Sequence, residues 1–186
     1  MTKIPTPDLL LGRYFVHLRM HNWSRRTIDR RQYSLGRFIA WCAERGIGCV
    51  SEVTAEALEC YRRGLFHHRD RRTGKPIKFS TQASYLSAVR HWLSWLVEQG
   101  WISVNPAERI ELPKEEQRLP SAYLTLSEVE TLLNAMDLSR GPGLRDRAML
   151  ETFYSTGMRR SELISLRLDD IDRESRVVTI LSLIHI

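Results

Sequence analysis

The sequence predicts a mainly α-helical chain of two domains joined by an extended tether. Apolar residues recur at helical spacing in four segments of residues 1–110, the pattern of helices that share one core. Prolines and charged residues replace that pattern at 111–121, which predicts the tether. Two further helical segments follow, and then a β-branched run at 176–180 that predicts one short strand.

The first, second and fourth predicted helices each have an apolar stripe. The second helix starts at Ser24, a residue type that caps helix N-termini. The third helix runs over 54–66, a basic turn follows at 67–76, and the fourth helix begins near 80–81. The core positions predicted for the first, second and fourth helices are Leu9, Leu10, Tyr14, Phe15, Leu18, Ile28, Leu35, Phe38, Ile39, Cys42, Leu86, Val89, Leu93, Leu96 and Val97.

Two of these helices also carry an outward polar face. At 100° per residue, the second helix places Arg26, Arg30, Tyr33 and Arg37 opposite its apolar stripe. On the fourth helix the outward positions are Ser84, Ala88 and His91.

The distribution of charge indicates a polyanionic partner for the first domain. The whole chain has a net charge of +6, but residues 1–110 carry +9 and residues 111–186 carry −3. Arginine greatly outnumbers lysine among the basic residues, which favours bidentate contacts with phosphate and guanine. A basic module joined to a less basic one is typical of nucleic-acid-binding proteins.

Other residue types limit the possible functions. Cys42, Cys49 and Cys60 lack the spacing of a zinc cluster or disulfide framework, which predicts neutral thiols in a reducing compartment. No signal peptide or apolar run of spanning length is present, so we expect a cytoplasmic protein without a membrane partner. The adjacent pair His67-His68 has no ligand partner at metal-binding spacing, and Trp92, Trp95 and Trp101 are interpreted as packing residues.

The second domain starts with a predicted capping box, Ser127 to Glu130, which heads a helix. Val129, Leu132, Leu133 and Met136 are its predicted inner positions. A second helix covers 144–156, with Met149 and Phe153 as core candidates and Tyr154 as a packing residue. A turn at 169–172 precedes the strand.

A corner between two helices holds the most distinctive residues of the chain. Gly157 can adopt the left-handed backbone that ends one helix, and Ser161-Glu162 suits the first turn of the next. Arg159 lies between them, where its planar guanidinium could grip two phosphate oxygens. The alternative is an ordinary surface pair of Arg159 and Glu162, which would contribute little.

This corner resembles the first arginine box of the tyrosine recombinases, the integrase family that cuts and rejoins DNA through a phosphotyrosine. The matching residues are STGMRRSEL at 155–163 and LRLDDI at 166–171. The resemblance implies that Arg159 is a catalytic residue that holds the scissile phosphate, with Glu162 supporting it. It also implies that no metal or other cofactor is needed.

The first domain resembles the same family over SRRTI at 24–28, FIAW at 38–41, ST at 80–81, YLSAVR at 85–90 and NPA at 105–107. The resemblance implies a four-helix, SAM-like core-binding domain at 1–110, a flexible linker at 111–121, and the first helices and first strand of an α+β catalytic domain at 122–180. It implies double-stranded DNA as the partner and a homo- or hetero-tetramer on DNA for the full-length protein. The DNA-binding residues that it implies are Arg26, Arg30, Arg37, Thr81, Ser84 and His91.

The resemblance stops after residue 180. The family continues with a partner strand, a hairpin bearing a catalytic lysine, a His-x-x-Arg box and a nucleophilic tyrosine, whereas all six tyrosines here precede Arg159. Residues 181–186 resemble the translation of a sequencing adapter, so we interpret them as a non-native tail and the chain as a C-terminally truncated, inactive recombinase fragment. Two alternatives stay open: a non-catalytic DNA-binding protein that retains the core-binding domain, and a helical interaction module.

Overall fold

The computed structural model describes residues 6–70, 72–114 and 123–180. The chain folds as two compact units, Met1–Gln117 and Arg118–Ile186. Most of the predicted tether lies outside the described residues, and its residues 111–114 have no regular secondary structure. The predicted tail at 181–186 lies wholly outside them.

The described part of the first unit contains four α-helices: α1 (Pro7–Met20), α2 (Arg25–Ala43), α3 (Ala55–His67) and α4 (Phe79–Glu98). The predicted cap of α2 is confirmed, because the Ser24 hydroxyl accepts a hydrogen bond from the Thr27 N–H at 3.2 Å. Thr54 caps α3 in the same way through Ala57 N–H. A short 3-10 helix, Val50–Glu52, lies between α2 and α3.

The stripes of the four helices meet in one core. The core positions predicted for α2 are confirmed, with Ile39 at the edge of the core. The core position predicted for Leu9 of α1 is wrong, because Leu9 is 52% exposed while Leu10 is fully buried. The largest fully buried side chains are Trp92, Tyr14, Phe38, Leu10, Leu35, Leu58, Leu86, Leu93 and Leu96.

Helix α4 is covered on three sides, because it contacts α1, α2 and α3. Trp92 and Trp95 are buried in this packing, as predicted, and Trp101 packs against the core from the following segment. The outward position predicted for Ala88 is wrong, since this residue is buried as well. A helix surrounded in this way has only a narrow solvent-facing strip.

The second unit contains α5 (Leu126–Asn134), α6 (Gly141–Thr156) and α7 (Arg160–Ser165). The capping box of α5 lies two residues earlier than predicted, because Thr125 and Glu128 exchange the capping hydrogen bonds. After a 3-10 turn, Leu168–Asp170, two short antiparallel strands pair: β1 (Ile171–Asp172) and β2 (Val177–Val178). The sequence had predicted a turn where β1 lies.

Few apolar side chains of the second unit are buried. Met158 is the only buried residue within 123–180. Leu132, Met149 and Tyr154, which were predicted to pack inside, are 42%, 37% and 60% exposed. The predicted packing role of Tyr154 is therefore not seen in this unit.

No helix within the described part of the chain combines the length and the apolar character needed to cross a membrane.

Leu9 and Leu10 give a matched pair for testing the core. Leu10→Ala should lower the free energy of unfolding of the first unit by about 2–5 kcal/mol, because it opens a cavity in a filled core. Leu9→Ala should change it by less than about 0.5 kcal/mol. Urea unfolding followed by tryptophan fluorescence measures this unit alone, since all five tryptophans precede residue 102. Equal losses for the two variants would contradict this assignment of the core.

Candidate functional site

The solvent-facing edges of α2 and α4 meet along one surface, here called the α2–α4 face and defined by Arg26, Arg30, Arg37, Thr81, Ser84 and His91. At its centre, Arg30 Nη2 donates a hydrogen bond to Ser84 Oγ at 2.8 Å. The Ser84 hydroxyl in turn donates to the Ser80 carbonyl at 2.9 Å, within α4. The structure thus joins two residues 54 positions apart that the sequence had placed on separate helices.

Arg37 differs from the fully outward position predicted for it. Its side chain is half-buried, and its guanidinium carbon lies 5.3 Å from the centre of the Tyr85 ring. Tyr85 also contacts Tyr33, with ring centres 6.2 Å apart, and Tyr33 is 61% exposed. Tyr85 was missed as a member of this surface, although it lies four residues after Thr81 and so on the same side of α4.

The remaining members of the face lie along its length. Arg26 is exposed near the start of α2, and Thr81 is half-buried in the first turn of α4. His91 is exposed, and partial desolvation, followed by the charges of Arg31 and Arg90, lowers its pKa. A neutral imidazole at this position can either donate or accept a hydrogen bond.

Arg31, which was not predicted to have a role, is held beside the face. Its guanidinium carbon lies 4.3 Å from the centre of the Trp23 ring, and its Nη1 donates to the Tyr14 hydroxyl. Burial raises the pKa of Tyr14, while Arg31 opposes that shift. The phenol therefore stays neutral and leaves the charge of Arg31 uncompensated.

Within the described residues, Arg26, Arg30 and Arg37 form no ion pair with a carboxylate. The partners of Arg30 and Arg37 are a hydroxyl group and an aromatic ring, which orient a guanidinium but do not neutralise it. The α2–α4 face is therefore a cationic surface with partly fixed side chains, and it can attract a polyanion.

The predicted corner of the second unit is present between α6 and α7. Gly157 has a φ of +63°, and its N–H donates to the Phe153 carbonyl at 2.9 Å, closing the last turn of α6. No atom would contact a side chain added at Gly157, so the backbone conformation alone favours glycine there. Helix α7 begins three residues later with Arg159 as its N-cap residue.

The structure brings Arg159 and Glu162 into direct contact. Glu162 accepts two hydrogen bonds from Arg159, from the backbone N–H at 2.6 Å and from Nη1 at 3.0 Å. The Arg159 side chain is 64% exposed, whereas that of Glu162 is 17% exposed. Glu162 therefore starts α7 and fixes the direction of a guanidinium that still faces solvent.

Hydrogen bonding determines the charge state of Glu162. The Arg159 backbone N–H, then its side chain, stabilise the carboxylate and lower the Glu162 pKa. The carboxylate is thus ionised at neutral pH.

No cluster of three or more potential metal ligands occurs within the described part of the chain. The three cysteines are free thiols. Burial raises the pKa of the Cys42 thiol to about 11, so this group is neutral as predicted.

Comparison with known proteins defines the class of the chain. The Phage integrase family model matches residues 122–185. The chain is 41% identical over 177 residues to tyrosine recombinase XerC 2 of Ralstonia nicotianae, covering 93% of this chain and 51% of that protein. It is 34% identical over 167 residues to tyrosine recombinase XerC of Xylella fastidiosa, covering 90% of this chain and 53% of that protein.

Solved structures show the same fold. A lambda integrase tetramer bound to a Holliday junction matches with a TM-score of 0.66 at 16% identity, over 95% of this chain and 50% of that one. The Tn1549 transposon integrase in complex with circular intermediate DNA matches with a TM-score of 0.61 at 17% identity, over 92% of this chain and 53% of that one.

The fold is therefore that of the integrases. The chain belongs to the tyrosine recombinase family, as its arginine corner had indicated, and it spans about half the length of the curated relatives that it matches.

The hydrogen bonds to Glu162 make its ionisation a test of the corner. A lowered folded pKa means that ionised Glu162 stabilises the folded state fully above the ordinary glutamate pKa and loses that contribution as pH falls through the lowered value. Carboxyl NMR titration should show the lowered pKa. In Arg159→Gln the pKa should move only partway back, because the backbone N–H still donates. An ordinary Glu162 pKa in the unsubstituted chain would contradict the geometry.

Proposed function

We propose that the protein from which this sequence comes is a site-specific tyrosine recombinase, acting in DNA integration or recombination on double-stranded DNA. The observation that carries this proposal is the corner at Gly157–Glu162, where a family-matching arginine is oriented by a carboxylate and still exposed. The sequence identity of 41% with a tyrosine recombinase supports it.

In the proposed reaction Arg159 binds the non-bridging oxygens of the scissile phosphate. A tyrosine hydroxyl attacks the phosphorus, a 3′-phosphotyrosyl bond forms, and the 5′-oxygen of the neighbouring nucleotide leaves and takes up a proton. The guanidinium stabilises the charge that builds on the phosphate oxygens. Glu162 acts as a positioning residue, since it touches Arg159 and not the substrate.

The 186 residues themselves are proposed to bind DNA without cleaving it. They contain one arginine box, and each tyrosine lies before Arg159 in the sequence. A phosphate clamp without a nucleophile and general acid leaves no path for strand cleavage.

The first unit is proposed to be the core-binding domain, with the α2–α4 face against DNA. Arg30 and Ser84 form a joined pair at its centre, and the neighbouring arginines lack carboxylate partners within the described residues. Most such contacts would be to phosphates, which position a protein without reading sequence. The second unit is proposed to be part of the catalytic domain.

Assembly as a homo- or hetero-tetramer on DNA is part of the same proposal for the full-length protein. It is supported by the fold shared with lambda integrase, which was crystallised as a tetramer bound to a Holliday junction. A cytoplasmic location stays a prediction.

The second candidate is a DNA-binding protein that controls recombination without catalysing it. It uses the same α2–α4 face, so DNA binding alone does not separate the two candidates. A test of the catalytic role of Arg159 does separate them.

DNA binding by the 186-residue chain should be strongly salt-dependent, because phosphate contacts release counterions. Arg30→Gln should weaken binding to duplex DNA and reduce the slope of log K against log salt concentration by about 0.9, the value for one lost phosphate contact. Arg19→Gln is the matched control, an exposed arginine of α1 outside the face. Fluorescence anisotropy over a range of salt concentrations measures both. A flat salt dependence of the unsubstituted chain would favour a helical interaction module instead.

The catalytic role of Arg159 can be tested in a chimera in which residues 1–180 are joined to the C-terminal half of Ralstonia nicotianae XerC 2. We expect a covalent protein–DNA complex on a nicked suicide duplex. Arg159→Ala should reduce its rate of formation by about 100-fold or more, the range seen when one oxyanion ligand is removed. Arg160→Gln, in the neighbouring arginine, should leave the rate nearly unchanged. Equal rates for Arg159→Ala and the parent chimera would contradict the role of Arg159.

A further inference from the structure

A groove between α2 and α3 adjoins the α2–α4 face. One side of α2 presents Tyr33, Arg37 and Trp41 at intervals of four residues, and Arg45 follows in the turn after the helix, so aromatic and cationic residues alternate here. Helix α3 and the segment after it form the other wall, and the groove encloses about 610 Å³. Glu44, Tyr61 and Asp70 are among its further lining residues.

Two buried hydrogen-bond donors in this groove lack an acceptor. Arg37 Nε and the Tyr61 hydroxyl are inaccessible to solvent and have no hydrogen-bond partner among residues 6–70, 72–114 and 123–180. Tyr61 as a whole is 3% exposed. The Arg37 guanidinium lies beside the Tyr61 hydroxyl without forming a well-aligned hydrogen bond, and leaving buried donors unsatisfied is costly, so an acceptor brought to this pair would stabilise it.

The charged groups of the groove differ in how strongly they are already held by other protein groups. The Asp70 carboxylate is already engaged, since it accepts hydrogen bonds from the Arg72 N–H, the Thr73 N–H and the Thr73 hydroxyl. Arg45 lies with its guanidinium carbon 4.2 Å from the centre of the Trp41 ring. Its contact with Glu44 is 3.6 Å long and exposed, which makes this a weak ion pair. Arg37 and Arg45 are therefore the groups of the groove that can attract an anion, and they do so against the negative charges of Glu44 and Asp70.

The length of α2 connects the groove to DNA. Arg30 and Ala43, the last residue of α2, are thirteen residues apart, about 20 Å along the helix axis, and Arg45 follows two residues later. The major groove of DNA is only about 12 Å wide. A duplex that receives the α2–α4 face in its major groove would therefore have a bordering phosphate strand close to the second half of α2.

We propose that the groove between α2 and α3 binds a phosphate of the DNA backbone, which makes Arg45 and Tyr61 further DNA-binding residues. This proposal rests on the proposed DNA-binding function of the first unit. Phosphate oxygens accept hydrogen bonds and supply no donor, which suits the two unsatisfied donors. Both donors are buried in this structure, so binding requires the Arg37 side chain, which lies beside the Tyr61 hydroxyl, to move and expose them.

The test is duplex DNA binding by the 186-residue chain over a range of salt concentrations. Tyr61→Phe removes only the hydroxyl group and keeps the buried ring, and it should weaken binding about tenfold, as for loss of a hydrogen bond to a charged group. Arg45→Gln should reduce the salt slope by about 0.9. Arg63→Gln, in an exposed arginine of α3 that does not line the groove, is the matched control and should leave both quantities unchanged. Thermal unfolding confirms that each variant is folded.

The outcomes separate the two proposals. If the unsubstituted chain binds DNA with a steep salt dependence but Tyr61→Phe and Arg45→Gln behave like Arg63→Gln, the groove is not a DNA phosphate site, while the proposed function stands. If the unsubstituted chain does not bind duplex DNA, the proposed DNA-binding function of the first unit is wrong, and the proposal for the groove is wrong with it.

A second measurement distinguishes the source of the phosphate group. NMR signals of Arg37 Nε–H and the Trp41 indole N–H should shift when duplex DNA is added. If millimolar inorganic phosphate shifts them and Tyr61→Phe abolishes that response without weakening DNA binding, the groove is a site for small anions and the DNA assignment is overturned.

Discussion

The burial of α4 among α1, α2 and α3 is the constraint on which the rest of the first unit depends. Trp92, Leu93 and Leu96 fill the centre, and even Ala88 is covered. Arg90 and Ser94 of α4 form hydrogen bonds with the segment 105–110, and a further polar strip lies where α4 meets α2. Ser84 lies on that strip and accepts a hydrogen bond from Arg30, which is 54 residues away in the sequence. The cationic face is thus a consequence of core packing, because the same contacts that exclude water from the centre bring the polar edges together.

The α2–α4 face and the second unit differ in how they hold their arginines. On and beside the α2–α4 face, the partners are a hydroxyl and aromatic rings: Ser84 for Arg30, Tyr85 for Arg37, Trp23 and Tyr14 for Arg31. In the second unit, the partners of the paired arginines are carboxylates: Asp137, Asp146, Glu151 and Glu162. Neutral partners fix direction and leave the full positive charge available, which suits attraction of a polyanion over a broad surface. Carboxylate partners suit a position where one guanidinium must be aimed at one point.

Local signals in the sequence were sufficient where a single residue determines the backbone. Ser24 marks the start of α2, and Gly157 marks the end of α6 through its positive φ. The sequence was not sufficient where packing against a neighbouring element decides the structure. Leu9 fits the helical period of α1 but remains exposed beside the core, and Thr125 rather than Ser127 caps α5 because the chain enters that helix about half a turn earlier. The pairing of Arg30 with Ser84, and the meeting of Arg37 and Tyr61 at one groove, join residues that are far apart in sequence and have no local signature.

The arginine corner is built for placement more than for stability. The pair of Arg159 and Glu162 lies at the surface, where an ion pair contributes little to folding. Yet the carboxylate that accepts a hydrogen bond from Nη1 through one oxygen accepts the first free N–H of α7 through the other, so the start of that helix holds the carboxylate that orients the guanidinium. The start of α7 is in turn set by Gly157, since its left-handed backbone determines where α6 stops. Short-range constraints within a single corner therefore fix one charged group relative to two helices. The role proposed for Arg159 depends on this placement, because a small displacement of a phosphate-binding group weakens transition-state stabilisation more than it weakens the fold.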